Sequence, residues 1–349
     1  MTVRQGALCL TLLIFLLSGC ADKQQGEVLS ETRLLLDTFC TITIHGNVNM
    51  DMLDEAFELC AELEALFSIT MEGSDIWRIN FAGGGPVTVD PGTIELITAG
   101  LEFSGLSDGM FDITIGRLSR LWDFGSGESF VPSGFEIEEA LKTVDFAQVH
   151  IDGNTVQLTM PHEQPHIDGG DNRYAWLDLG AIAKGYIGDR IAELLIKHGV
   201  SGALIDLGGD VVTIGSRPDG TPWRIAVKKP FGSMNEYLGV LEVTGVSVIS
   251  SGTYERRFEI DGKNYHHILD PNTGMPAISD VISATVVTGS ALSGEGLSTI
   301  AILLGSERAS EIFEKAPGFI GAVLVLESGK VLRFGDVMFV TQGEGKREK

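Results

Sequence analysis

The feature of the sequence that most restricts its fold is a succession of short strand-like segments between Ala203 and Gly289. These segments are rich in β-branched and aromatic residues, and turn-forming residues such as glycine, proline and asparagine separate them. Short connections of this kind join antiparallel strands, because parallel neighbours need crossovers of about a dozen residues or more. The pattern therefore predicts antiparallel sheets and argues against a parallel sheet of the Rossmann type.

Apolar spacing and capping residues predict helices interleaved with these strands. Asn49 and Asp90 are typical N-terminal caps, and Pro91 suits the first position of a helix. The predicted helices cover residues 50–69, the segment from Pro91, residues 181–198 and Ala291–Leu304, and strands or hairpins are predicted at residues 33–46, 145–160 and 174–178. The fold class is therefore α+β, with mixed, mostly antiparallel sheets packed against helices.

The first residues have the features of an export signal. Arg4 precedes a short apolar run, Ala7–Leu17, which is too short to span a bilayer. The run ends in Leu17-Ser18-Gly19-Cys20, which resembles the lipobox of bacterial lipoproteins, in which the cysteine carries the lipid. We expect a signal peptide at residues 1–19, lipidation of Cys20, a polar tether at residues 20–30 and a single folded domain at residues 31–349. The protein is then expected to be anchored on the periplasmic side of a membrane, with the inner membrane favoured.

Two further cysteines lie inside the expected domain. Cys40 belongs to a strand-like run and Cys60 to an apolar helix face, so both are predicted to be buried. In an exported protein they can be free thiols or a disulfide, and the sequence leaves both states open.

The charge of the chain limits the ligands that it can bind. Its 349 residues include 48 acidic and 25 basic side chains, which gives a formal net charge of -23. Such a surface repels nucleic acid, whose affinity for proteins depends on lysine and arginine at the phosphates. A ligand that carries phosphate would therefore need a local cation, either a metal ion or a well-placed lysine.

The stretch DLGAIAKGYIGD, residues 178–189, places such a lysine at the start of a predicted helix. Lys184 is disfavoured there by the positive end of the helix dipole, so a negative group is expected nearby. Asp178, Ala181 and Lys184 are spaced by three and would line one side of the helix mouth. The alternative is that the glycines serve packing and that Lys184 extends to water.

A second stretch, residues 251–276, contains a pair of histidines before the turn Asp270–Gly274. Neighbours on a strand face opposite sides, so at most one of the two imidazoles points into a given site. His267 is the candidate general base because it adjoins the polar turn, whereas His266 is interpreted as structural.

A third stretch, residues 290–305, places Glu295 and Thr299 four apart on one helix face. A carboxylate and a hydroxyl at that spacing can share a hard cation such as Mg²⁺. The alternative is that Thr299 donates to the Glu295 carbonyl and that the Glu295 side chain is solvated.

Six stretches in order, between about residue 33 and residue 305, resemble the FAD:protein FMN transferase (ApbE) family of lipoproteins. They are SDIWRIN, DGMFDITIGRLSRLWDFG, DLGAIAKGYIGD, LIDLGGDV, SGTYERRFEIDGKNYHHILDPNTG and the LST helix. The resemblance implies a T-fold-like α+β domain that binds FAD and Mg²⁺, with Mn²⁺ as a substitute. It further implies transfer of FMN to a Thr or Ser hydroxyl of a partner protein, with release of AMP. The expected partners are exported flavoproteins and subunits of membrane redox complexes.

The same resemblance assigns roles to residues of this chain. His267 would be the catalytic base, the metal ligands would be Ala181 through its carbonyl, Glu295 and Thr299, and the FAD contacts would be Trp77, Met110, Phe111, Asp112, Asp178, Lys184 and Ile268. The negative group beside Lys184 would be the FAD pyrophosphate or Asp178. Two departures from the family pattern are Glu295, where aspartate is usual, and Leu36-Asp37-Thr38, where Met-Gly-Thr is usual.

Two other functions require the same residues. An FAD pyrophosphatase would use water in place of the protein hydroxyl and release free FMN. A non-catalytic flavin-binding lipoprotein would retain FAD without turnover, and the Glu295 substitution is the feature that favours it.

Overall fold

The structure is a computed structural model that describes residues 27–46, 48–159, 174–233 and 235–341. The predicted signal peptide and Cys20 lie outside the described residues. The strands are β1 Glu27–Leu35, β2 Thr38–Gly46, β3 Val87–Thr88, β4 Val149–Asp152, β5 Thr155–Leu158, β6 Gly202–Leu207, β7 Asp210–Ile214, β8 Trp223–Lys228, β9 Tyr237–Val243, β10 Ser247–Gly252, β11 Arg257–Ile260, β12 Lys263–His266, β13 Val281–Thr288, β14 Phe319–Leu326, β15 Val331–Gly335 and β16 Met338–Thr341. The helices are α1 Met50–Phe67, α2 Asp75–Asn80, α3 Pro91–Leu106, α4 Gly116–Trp122, α5 Gly134–Leu141, α6 Ala183–Lys197 and α7 Ala291–Phe313.

The largest unit is an eight-stranded sheet with the order β1-β2-β6-β7-β10-β13-β14-β15. Three smaller sheets have the orders β16-β9-β8, β3-β5-β4 and β11-β12. Every pairing between these strands is antiparallel. The prediction of an α+β fold with mostly antiparallel sheets is therefore confirmed.

The eight-stranded sheet is covered on both faces. Along β10 and β13, Ile249 and Val286 pack into the core beneath the helices. Their neighbours Val248 and Val287 pack with the sheet β16-β9-β8 on the other face. A sheet that is buried on both sides needs apolar residues at consecutive positions, which explains the nearly continuous apolar runs of these strands.

The segment predicted as one strand at residues 33–46 is a hairpin. Leu36 and Asp37 adopt left-handed backbone conformations, with φ of 55° and 56°, and turn the chain between β1 and β2. Two residues in this conformation form the hairpin turn for which Asn-Gly is the usual signal, and neither residue is present here. β1 also begins at Glu27, so residues 27–30, assigned to the tether, belong to a strand.

Other elements follow the sequence more closely. Asn49 and Asp90 cap α1 and α3 as predicted, and α7 is interrupted at Gly305, directly after the predicted helix end. The strand predicted at residues 174–178 is reduced to a single bridge at Trp176, and α6 begins at Ala183 instead of residue 181. Asp178 explains the later start, because its carboxylate accepts the Gly180 N–H at 2.9 Å and holds a turn before the helix.

Both cysteines of the domain are buried and free, Cys40 on β2 and Cys60 on α1.

None of the helices in the described part of the chain has both the length and the apolar character to cross a bilayer.

Helices α6 and α7 contact each other on the sheet, and their N-terminal turns carry Lys184 and Glu295. A Cβ atom on Gly185 of α6 would lie 2.5 Å from the Ala291 carbonyl oxygen of α7, so the two backbones meet there. Asp189 of α6 accepts the Ala291 and Leu292 N–H groups at 2.7 and 3.1 Å and so caps α7. The two helix starts are therefore fixed relative to one another.

We expect Gly185→Ala to lower the free energy of unfolding by about 1–3 kcal/mol, because its methyl group would press on backbone atoms that cannot rotate away. Urea denaturation measures the change. The control is Gly105→Ala in α3, where a Cβ atom meets nothing within 4 Å. Equal stability of the two variants would show that α6 and α7 do not meet as described.

Candidate active site

A cavity of about 510 Å³ opens between the starts of α6 and α7, the β6–β7 turn and the segment that follows β12. Ten of the site residues predicted from the sequence line it. They are Met110, Phe111, Asp112, Asp178, Ala181, Lys184, His267, Ile268, Glu295 and Thr299. The segments that supply them are far apart in sequence, so the fold brings the predicted clusters into one site.

The polar end of this cavity is a buried ion cluster. The Lys184 ammonium contacts the Asp210 carboxylate and lies 3.3 Å from Glu295 Oε1. Glu295 Oε2 accepts the Gly185 N–H at 2.7 Å. Asp210 and Glu295 are both only 4% exposed. The negative groups that the sequence requires beside Lys184 are therefore Asp210 and Glu295.

Asp178 does not contact Lys184 in this arrangement. Its carboxylate accepts the N–H of Gly180, although the residue still lines the cavity. Of the two negative groups that the resemblance implies beside Lys184, Asp178 does not pair with it, and the FAD pyrophosphate stays a prediction. Asp210 was missed, although it belongs to the stretch LIDLGGDV. The available signal was a carboxylate directly after the Gly208-Gly209 turn.

The ionisation of this cluster follows from its burial. Burial alone would lower the pKa of Lys184, but the Asp210 and Glu295 carboxylates raise it above its usual value. Burial raises the pKa of Glu295, and Lys184 only partly opposes that shift. Because two carboxylates share one ammonium, the raised pKa of Glu295 favours its protonated form, and a further cation would favour the ionised form.

The alternative in which Glu295 is solvated does not hold, because the side chain is buried. Ser298, rather than Thr299, donates to the Glu295 carbonyl, at 3.1 Å. The Thr299 hydroxyl lies 3.4 Å from the Ser251 hydroxyl and lines the cavity. Thr299 is therefore available to a ligand, as the sequence predicts.

These residues fit a hard divalent cation. A carboxylate offers about four lone-pair directions, so Glu295 and Asp210 can bind a metal in addition to their present donors. Among the described residues no group of three or more His, Cys, Asp and Glu side chains forms a metal centre. A cation here would therefore also need hydroxyl, carbonyl or substrate oxygens, which suits Mg²⁺.

His267 lies directly after β12 on the wall of the same cavity. Its Nδ1 is 3.3 Å from the Glu255 carbonyl oxygen, and a carbonyl can only accept. Nδ1 therefore carries the proton, and Nε2 has a free lone pair. Burial, with the nearby Arg256 charge, lowers the pKa of His267 to about 4, so the ring is neutral at pH 7.

His266 has a different environment. It is 5% exposed, its Nε2 donates to the Ala277 carbonyl at 3.1 Å, and it does not line the cavity. This agrees with the sequence interpretation, in which strand alternation separates a structural His266 from a site-facing His267.

The predicted segment Met110–Asp112 forms another wall, but Asp112 is occupied structurally. Its carboxylate accepts the Thr114 N–H and hydroxyl at 2.7 and 2.6 Å and the Phe146 N–H at 3.0 Å. Burial raises the pKa of Asp112. The side chain therefore holds the loop in shape and leaves Met110 and Phe111 to form an apolar wall.

Trp77 does not line the cavity, contrary to the prediction. Its ring packs on Phe81 with centroids 4.7 Å apart, and Phe81 in turn packs on Trp176. The α2 helix that carries Trp77 points this ring into an aromatic cluster instead. Two cationic residues that the sequence analysis missed, Arg120 and Arg256, do line the cavity.

Comparisons with known proteins agree with this site. A family model described as the ApbE family matches residues 36–324. The FAD:protein FMN transferase of Treponema pallidum is 31% identical over 335 residues, covering 91% of both chains. That of Klebsiella pneumoniae is 37% identical over 258 residues, covering 74% of this chain and 77% of the relative.

Solved structures show the same likeness. The ApbE protein of Thermotoga maritima superposes with a TM-score of 0.78 at 32% identity, covering 88% of this chain and 97% of that one. The flavinyl transferase ApbE of Pseudomonas stutzeri gives a TM-score of 0.75 at 28% identity, covering 93% and 97%. Because the family model spans most of the sequence and these relatives match nearly end to end, the chain belongs to the ApbE family.

Proposed function

We propose that this protein is an FAD:protein FMN transferase, an enzyme that moves FMN from FAD to a Ser or Thr hydroxyl of another protein and releases AMP. The observation that carries the proposal is the placement of Lys184, Asp210, Glu295 and the neutral His267 in one cavity. The names of the relatives support the transferase class and FAD as the donor.

The reaction is a displacement at phosphorus. The acceptor hydroxyl oxygen forms a bond to the FMN phosphorus, and the bond from that phosphorus to the bridging oxygen breaks, so that AMP leaves with the bridging oxygen. The hydroxyl proton goes to Nε2 of His267, whose Nδ1–H is held by the Glu255 carbonyl. This hydrogen bond fixes the tautomer and the direction of the ring.

The buried ion cluster and a metal ion bound to it would orient FAD and neutralise the negative charge of its pyrophosphate. Lys184, itself held by two carboxylates, would meet the pyrophosphate oxygens from the start of α6. Glu295, Thr299 and the Ala181 carbonyl, with Asp210 beside them, would hold Mg²⁺. The metal would supply charge neutralisation at the pyrophosphate. Met110, Phe111 and Ile268 would exclude water from one wall.

We expect His267→Ala to lower the rate of FMN transfer by about 10²–10⁴ while FAD still binds, because the base is lost and the cavity is kept. Protein-bound FMN by mass spectrometry and AMP by chromatography measure transfer to co-expressed candidate acceptors such as redox-complex subunits. His266→Gln is the control and keeps a donor for Ala277. Equal losses in both variants would contradict the role of His267, and AMP with free FMN only would indicate a pyrophosphatase.

The pH profile gives a second measurement of the same base. Because the pKa of His267 lies near 4, the neutral form persists as pH falls from 8 to 6 and is lost only near the folded-state pKa. With Mg²⁺ saturating, kcat/KM is expected to stay level down to about pH 5. A decline centred near 6.5 would instead indicate an unperturbed histidine.

We expect Glu295→Gln to weaken Mg²⁺ binding strongly, because the change removes a charge at nearly constant shape. Glu295→Asp restores the residue that is usual in the family and should retain metal-dependent transfer. The measurement is Mg²⁺ titration of AMP release together with calorimetry of Mg²⁺ binding in the presence of a non-hydrolysable FAD analogue. If Glu295→Gln titrates like the wild type, the metal does not use Glu295. FAD retained without turnover in the wild type would indicate a non-catalytic binding protein.

We also propose that the protein is anchored through a lipid on Cys20, on the periplasmic side of a membrane. Cys20→Ala is expected to abolish lipid attachment, because the anchor is a thioether-linked lipid rather than a helix. Membrane fractionation with metabolic labelling by a clickable fatty acid measures the change. Membrane association of Cys20→Ala after normal cleavage would contradict the proposal.

A further inference from the structure

A cluster of aromatic and cationic side chains, of which Tyr254 is partly buried and the others are more exposed, adjoins the cavity at its His267 wall. Lys228 Nζ lies 5.2 Å from the Tyr254 ring centroid, and the Tyr254 and Phe231 centroids are 5.9 Å apart. The Arg257 guanidinium carbon lies 5.0 Å from the Phe231 centroid. We call these four residues, together with Arg256, the rim patch.

The rim patch is cationic in an acidic protein. Glu255 is 3.8 Å from Lys228 and offsets one charge. In the described part of the chain, neither Arg256 nor Arg257 forms an ion pair with a carboxylate, and Arg257 donates to the neutral Asn264 side chain at 3.0 Å. A local excess of positive charge on a chain of net charge -23 is a site of electrostatic steering for an anionic partner.

The backbone of the patch is also unusual. Phe231 is 53% exposed and has a φ of 57°, and Arg256 has a φ of 37°. A bulky residue in the left-handed region costs free energy, and such residues concentrate where ligands bind. An exposed phenyl ring on a strained backbone is therefore better explained by a contact outside the chain than by the packing of the fold.

The rim patch adjoins the catalytic residues through Arg256 and the neighbouring Glu255. Glu255 and Arg256 line the cavity, and the Glu255 carbonyl holds His267. Phe231, Lys228 and Arg257 lie outside the cavity lining. A polypeptide that brings a hydroxyl to His267 from this side would pass over the rim patch, whereas the donor would fill the cavity.

We propose, on the basis of the proposed function, that the rim patch binds the acceptor polypeptide and that this segment carries acidic side chains next to its reactive hydroxyl. Arg257 and Lys228 pair with those carboxylates, and Phe231 and Tyr254 pack on the segment between them. The negative charge of the remaining surface repels such a segment and so directs it to this one approach.

The test uses the full chain and a short fluorescein-labelled peptide in which one threonine lies between aspartate and glutamate residues. A second peptide replaces each acid with its amide. We expect the acidic peptide to bind more tightly, with an affinity that falls as salt rises. Lys228→Gln combined with Arg257→Gln should weaken anisotropy-detected binding about tenfold, as should loss of a central aromatic residue.

Phe231→Gly is the informative aromatic variant, because glycine suits a φ of 57° and the change removes the ring without adding strain. Arg257→Gln alone and Arg308→Gln on α7 form the charge-matched pair, since each removes one cation and Arg308 is 51% exposed and pairs with Asp108 away from the cavity. FAD binding and AMP release without peptide should be unchanged in all these variants.

The inference is overturned if the amide peptide binds as well as the acidic one, or if the patch variants bind like Arg308→Gln. It is also overturned if the patch variants lose binding to phosphatidylglycerol vesicles instead of the peptide, which would make the patch a lipid-facing surface. Absence of AMP release from FAD in the wild type counts against the proposed function, whereas the peptide measurements alone decide the role of the patch.

Discussion

The buried contact of Lys184 with Asp210 and Glu295 joins three elements that are distant in sequence, namely α6, β7 and α7. Charged groups leave water at a large cost, and removal of one partner from such a cluster typically destabilises a protein by about 3–5 kcal/mol. The cluster therefore fixes how the helix starts meet the sheet. Burial raises the pKa of Glu295, and a cation bound beside it would favour its ionised form, so the contact that holds the fold could also serve a cation.

The positive end of the α6 dipole disfavours Lys184 in the first turn, and carboxylates from β7 and α7 offset this effect. Glu295 accepts the Gly185 N–H, one of the first-turn donors that lack a partner within α6. Its carboxylate thus acts as a helix cap while it pairs with Lys184. Aspartate, which the resemblance to the family leads us to expect at this position, is one methylene shorter. The extra methylene of Glu295 lets one side chain contact both the ammonium and the backbone, so the departure from the family pattern is compatible with the same site.

Several features of the fold and of the site are predicted from short stretches of the sequence. The caps at Asn49 and Asp90, the hairpin around Gly153 and the orientation of His267 each depend on a few neighbouring residues, and each was predicted. The turn at Leu36-Asp37 lacked a glycine signal, so the hairpin was read as one strand. The pairing of Lys184 with Asp210, and the packing of Phe81, the neighbour of Trp77, on Trp176, depend on tertiary contacts that no spacing encodes. Asp178, which is close to Lys184 in sequence, was therefore named as a possible negative group, and Asp210 was missed.

Cationic side chains lie both inside the cavity and on the surface beside it. An acidic chain repels an anionic donor and an acidic acceptor alike, so both must approach where cations are concentrated. Lys184 lies at the inner end of the cavity, Arg120 and Arg256 on its walls, and Lys228 and Arg257 outside it. Burial, with the charges of Arg256 and Lys184, lowers the pKa of His267 and keeps its ring neutral. A neutral imidazole in a cationic setting can accept a proton from a hydroxyl while the surrounding charges attract phosphate.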